Sequence, residues 1–131
     1  MMLMDCEDFK GTISEIYRVI KSNGRLIISI LHPCFSGQDV GWRKDDLGGF
    51  YFRTDNYFST TPWEEEISNA FSKKVIYRHR PLQDYFSTLL NCGFKLIRLV
   101  EPVPTEEQMQ ASSRMKRLTR IPLFLFMEWE K

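Results

Sequence analysis

Three stretches of the sequence predict an α/β domain. Leu26 to Leu31 is apolar apart from Ser29, which suits a buried strand. Phe9, Ile13, Ile16, Tyr17 and Ile20 recur at helical spacing just before it. Leu82, Tyr85, Phe86, Leu89 and Leu90 repeat that spacing later, ahead of a second apolar run, Phe94 to Val100. Helical stripes alternating with short apolar runs are the signature of helices laid on a sheet.

Taken in order, Met1 to Met4 is apolar from the first residue and is read as a short buried strand ending at Asp5. Glu7 and Asp8 precede the helix over Phe9 to Lys21, and Lys21 lies at its other end, so both ends complement the helix dipole. Asn23-Gly24 stops the helix in the left-handed conformation, which makes strand, helix and strand a right-handed βαβ unit. Pro33 cannot extend a ladder, so the second strand ends near His32. Ligands of open α/β sheets collect at the carboxyl ends of strands, where His32, Pro33, Cys34 and Phe35 stand.

Residues 36 to 77 hold four glycines, Pro62 and many aromatics, among them Trp42, Tyr51, Tyr57, Trp63 and Phe71. A structureless loop of that length is improbable, and Phe50 to Arg53 and Lys74 to Tyr77 are its candidate strands. The segment reads either as an aromatic cover over a pocket or as a satellite cluster under a surface loop. Pro81 starts the next helix and Gly93 ends it. Thr105 and Gln108 have the spacing of a capping box and open a weaker helix running to about Leu118. Arg114, Lys116, Arg117 and Arg120 close that helix, where a solvated helix end is preferred over an anion site. Leu123 to Trp129 is the last strand.

The bulk numbers bound the function. The chain of 131 residues is read as one domain, 43% hydrophobic and 27% charged, which argues against disorder. A net charge of +1 gives no electrostatic case for nucleic acid or an acidic membrane. Neither a bilayer-length apolar run nor a signal peptide is read. Cys6, Cys34 and Cys92 are odd in number and widely spaced, as expected of reduced thiols in a cytoplasm. Two histidines without i, i+4 pairing argue against a metal site.

Several pieces carry a family resemblance. These are Leu3-Met4-Asp5, the helix with Glu15-Ile16-Tyr17-Arg18-Val19-Ile20-Lys21, and the run from Asn23 through His32-Pro33-Cys34-Phe35. His79-Arg80-Pro81-Leu82, Gly93-Phe94 and Glu101-Pro102 follow. In this order the chain resembles the carboxyl-terminal half of a class I S-adenosylmethionine-dependent methyltransferase, nearest the ubiquinone/menaquinone C-methyltransferase branch. The resemblance implies a partial Rossmann-like sheet of order 4-5-7-6, with the last strand antiparallel. Its four strands would be Met1 to Met4, Leu26 to Leu31, Leu123 to Trp129 and Phe94 to Val100.

The resemblance also implies S-adenosylmethionine as cofactor and a small-molecule substrate. The glycine-rich turn and the ribose-binding acid of the family's first half have no counterpart here, and Gly48-Gly49 lacks the flanking strand and helix. The isolated chain is therefore expected to bind the cofactor poorly. Its strand at residues 1 to 4 would be an exposed apolar edge, expected to be covered by a second copy or by a separately encoded amino-terminal half. A degenerate, non-catalytic module acting as a dimer or binding subunit is the alternative.

By position Asp5 and Cys6 are the cofactor-side residues, unless Asp5 only caps the helix. His32 would orient substrate or act as a base, or be a structural histidine. His79 and Arg80 would meet an anionic or carbonyl group, or serve helix entry. Pro33, Trp42, Tyr51 and Tyr57 would line the substrate pocket, or pack a core.

Overall fold

The computed structural model describes residues 2–65 and 74–131, so Met1 and Phe71 lie outside the described residues. Helix α1 (Phe9–Val19) opens on Asp8, whose Oδ1 accepts from the Gly11 amide at 2.8 Å. Asn23, at φ 62°, makes the left-handed turn expected after it. The last carbonyls of the helix are then taken by a distant cation: Lys131 Nζ donates to Tyr17 O at 2.6 Å and Ile20 O at 2.9 Å.

Strands β1 (Arg25–Leu31), β6 (Lys95–Val100) and β7 (Phe124–Glu130) form one sheet of order β1-β7-β6, with β7 antiparallel to both neighbours. The α/β class and three of the four expected strand positions are thus present. The fourth is corrected. Met2–Met4 is a turn of 3-10 helix, and no strand of the described residues pairs with the outer edge of β1. Its backbone finds another partner, Arg80 Nη1, which donates to the carbonyls of Leu3 and Met4, each at 3.2 Å, and its Met4 side chain accepts at Sδ from the Leu31 N–H at 3.3 Å. The βαβ unit read from the sequence is therefore not formed within the described residues. The edge left open belongs to β1.

Helix α2 (Leu82–Cys92) packs beside α1 on one face of the sheet and ends at Gly93, φ 104°. Phe9, Ile13, Tyr85 and Leu89 from the helices meet Ile28, Ile30, Leu125, Met127 and Trp129 from the strands. Edge-on ring pairs lock the layers, Phe9 on Tyr85 at 5.1 Å, Tyr17 on Phe94 at 4.9 Å and Phe86 on Trp129 at 5.5 Å. The opposite face is not covered in this way. Ile27 is 73% exposed there, and Arg25 and Arg98 bridge Glu128 and Glu130 beside it. The central, two-face-buried strand expected at Leu26 to Leu31 is therefore buried on one face only.

Residues 36 to 77 contain two hairpins. Strand β2 (Gly41–Lys44) pairs with β3 (Phe50–Arg53), and β4 (Trp63–Glu65) with β5 (Val75–Tyr77). The helix expected from Thr105 to Leu118 is two short ones, α3 (Glu106–Ala111) and α4 (Ser113–Arg117). The capping box at Thr105 and Gln108 is present. The break falls at Ser112, which is extended and turns its hydroxyl to the Arg114 amide at 3.2 Å, competing with the helix for its own backbone.

Candidate functional site

A cleft of about 800 Å3 opens where the start of α1, residues 60 to 62, residues 78 to 80 and the outer side of α2 meet. Glu7, Lys10, Asp84 and the polar side chains of Ser87, Thr88 and Asn91 line it, together with His79 and Arg80. His79 is 8% exposed, and its Nε2 lies 2.7 Å from the carbonyl of Tyr57. A carbonyl only accepts, so Nε2 carries the proton and the lone pair of the neutral ring is on Nδ1. The ring also stands edge-on to Tyr57 at 5.5 Å and separates the cleft from a smaller cavity of about 50 Å3 under residues 36 to 40 and 54 to 63.

Tyr57 holds this wall together. Pro81 offers no capping side chain to α2, and the Tyr57 hydroxyl instead accepts from the Leu82 amide at 2.7 Å. Burial pushes the Tyr57 phenol above its ordinary range, against the Leu82 amide, which lowers it. Arg80 is committed inward. Besides Leu3 and Met4, its guanidinium donates to the Cys6 carbonyl and lies 5.0 Å from the centre of the Phe9 ring. Arg78 pairs with Glu7 at 3.7 Å and donates to the Asp5 carbonyl at 3.3 Å.

His32 follows β1 and is 4% exposed. Its Nδ1 accepts from the Cys34 amide at 3.2 Å, which leaves the proton on Nε2, directed at Glu101 Oε1 at 2.8 Å. Strands β1 and β6 both run antiparallel to β7, so their carboxyl ends lie at the same end of the sheet and bring His32 to Glu101. The Glu101 side chain is half exposed.

The two histidines do not share one wall. They are joined by a chain of contacts that starts at Glu101: Glu101 to His32, His32 to the Cys34 amide, Cys34 Sγ to the Tyr57 hydroxyl at 3.9 Å, Tyr57 carbonyl to His79. Pro33 is buried in a 3-10 turn after His32. Asp5 is exposed and Cys6 half-buried in the turn before α1, one step from the rim of the cleft. Trp42 and Tyr51 lie away from it on the first hairpin, Trp42 packed on Phe52 at 5.3 Å and Tyr51 paired with Arg43. Among the described residues neither lines the cleft. Glu101 and Arg78 are the participants that sequence reasoning missed. The Glu101 pairing was accessible in principle, because the expected sheet order already sets the ends of those two strands at one rim.

No protein-family profile matches the sequence, and neither does any curated protein. Solved structures do. A protein of Listeria monocytogenes assigned to the S-adenosylmethionine-dependent methyltransferases superimposes with TM-score 0.82 over 98% of this chain at 28% identity. An S-adenosylmethionine-dependent methyltransferase of Mesorhizobium loti superimposes with TM-score 0.81 over 98% at 22% identity, a likeness of fold alone. The chain spans 57% and 58% of the lengths of those two proteins. S-adenosylmethionine is the cofactor both are named for.

Gly48, φ 80°, is at a hairpin tip with no atom near its missing Cβ, and Gly93 closes a helix. Neither is a glycine turn between a strand and the amino end of a helix, which is what close approach to the cofactor requires. In fold the chain is methyltransferase-like: a three-stranded sheet with α1 and α2 on one face, and two hairpins between β1 and α2 in the sequence.

Proposed function

We propose that the chain is the substrate-side portion of an S-adenosylmethionine-dependent methyltransferase of the ubiquinone/menaquinone C-methyltransferase type. It methylates a small molecule when a segment carrying the donor-gripping turn pairs with the open edge of β1. The observation that carries this reading is that edge: a strand backed by a full core, aligned over 98% of the chain with methyltransferases, whose outer ladder is unfilled among the described residues. An uncovered strand edge invites pairing with another strand.

In this reading Asp5 and Cys6 face the donor, the cleft walls at residues 60 to 62 and 78 to 80 enclose the acceptor, and His79 Nδ1 is the base available where the acceptor must lose a proton. His32 acts as a positioning residue through Glu101. Because methyl transfer is an in-line displacement, the protein contributes mainly proximity and alignment. The cytoplasm is the proposed compartment, in keeping with an odd number of widely spaced cysteines.

The test is calorimetry with S-adenosylmethionine on two proteins. One is the chain itself. The other is a chimera in which the part of the Listeria methyltransferase outside the matched region precedes Met2. Binding by the chimera and none by the chain supports the proposal. Micromolar binding by the chain alone sinks the divided site. Failure of a folded chimera to bind sinks the methyltransferase reading and favours the non-catalytic module, to which the inward commitment of Arg80 and His32 lends support. Light scattering then reports whether that module covers its edge with a second copy.

A further inference from the structure

Of the four cations at the carboxyl end of α4, Arg114 and Lys116 are exposed as a solvated helix end requires, but Arg117 and Arg120 pack against the β2-β3 hairpin beside Lys44. Lys44 Nζ and Arg117 Cζ both lie over the Phe50 ring, at 5.3 Å and 5.1 Å from its centre. Arg120 Cζ lies 5.0 Å from the neighbouring Trp42 ring, and its Nη1 donates to the Phe50 carbonyl at 2.8 Å. Three cations are thereby gathered on two rings of the β2-β3 hairpin. None of them forms an ion pair with a carboxylate among the described residues. Ring faces attract each cation but leave the charge in place, so the three repel one another. Arg117 Nε adds an independent observation: it is buried and has no hydrogen-bond acceptor. A buried donor of a charged group without a partner is costly and rare. What the cluster lacks is an acceptor with negative charge.

We propose that the face shared by the β2-β3 hairpin and α4 binds a small oxyanion, a phosphate or carboxylate group, with Arg117 and Arg120 as donors and Lys44 as counter-charge. Two guanidinium groups, each close to an aromatic ring and together carrying more N–H donors than the Phe50 carbonyl takes up, are the donor type that suits planar or tetrahedral oxyanions. A long polyanion is disfavoured, because Asp45 and Asp46 sit at the hairpin tip beside Lys44 and the whole chain carries only +1. The site is independent of the methyltransferase reading and needs no S-adenosylmethionine.

Trp42 reports on the site. In a 15N spectrum of the full chain, titration with inorganic phosphate shifts the Trp42 indole resonance saturably. Those of Trp63 and Trp129, on other elements, stay in place. Arg117→Gln and Arg120→Gln each weaken binding at least tenfold, as expected for loss of a charge-assisted contact. Arg117→Lys weakens it less, and Arg18→Gln on α1 leaves it unchanged. Should Arg117→Gln disperse poorly, Arg120→Gln and Lys44→Gln carry the test. Phenyl phosphate and benzoate separate the sources: tighter binding than inorganic phosphate assigns the anion to a small organic ligand, equal or weaker binding to free phosphate. No saturable Trp42 shift at tens of millimolar, or equal affinity in the variants, overturns the proposal. So does tighter binding of a single-stranded oligonucleotide, lost in the same variants.

Discussion

Replacing Arg80 by Met keeps a stem of similar length against Phe9 and removes the guanidinium. In the native fold that group donates to the carbonyls of Leu3, Met4 and Cys6 and lies over the Phe9 ring. Each hydrogen bond from a charged donor contributes about 1.5–3 kcal/mol, and a partly buried cation over a ring about 0.5–2 kcal/mol. The contributions share one side chain, and its removal also recovers the cost of desolvating a charge, so they do not sum. A net loss of about 2–4 kcal/mol is expected. With a urea slope of about 2 kcal/mol/M for a domain of this size, the midpoint falls by about 1–2 M at unchanged slope. The assay is equilibrium urea unfolding followed by far-UV circular dichroism. A variant within about 0.5 kcal/mol of wild type would refute the reasoning. The guanidinium would then be free to meet a ligand in the cleft, as the sequence alone suggested.

Tyr57→Phe strips the hydroxyl from the Leu82 amide and should cost about 1–2 kcal/mol, lowering Tm by roughly 4–8 °C, read by calorimetry. Gly93→Ala forces a side chain into φ 104° and puts a Cβ 2.8 Å from the Tyr17 hydroxyl, so it should destabilise by about 1–3 kcal/mol; a neutral result in urea would show that this helix end relaxes freely. Burial holds the Tyr85 phenol above its ordinary range, against the pull of Arg80. The folded state therefore keeps that proton more tightly than the unfolded chain. Its stabilisation is whole below about pH 10 and fades as pH rises toward the folded value, and Tyr85→Phe should flatten the alkaline fall of the urea midpoint.

Much of the fold is written locally. The apolar stripes of α1 and α2, the left-handed stop at Asn23, the glycine at 93 and the capping box at Thr105 each depend on residues within a turn or two of one another, and each is present. Strands β1 and β7 were legible for the same reason, since a run such as Leu125, Met127 and Trp129 must be buried somewhere, whereas β6 was legible as an apolar run although it lies exposed along its whole length. What was not legible depended on partners distant in sequence. Met2–Met4 looks like a strand by composition, but a strand exists only if a neighbour fills its ladder, and Arg80 takes its carbonyls instead. Arg80, His32 and Tyr57 are residue types that serve ligands or backbone equally well. Hydrogen bonds spanning 77, 69 and 25 positions decided between those uses. Sequence by itself determined which segments are apolar enough to associate and where each must stop, because those are properties of neighbouring residues. Tertiary structure alone decided which polar groups remain available for chemistry, because that is set by whichever donors and acceptors folding brings within 3 Å.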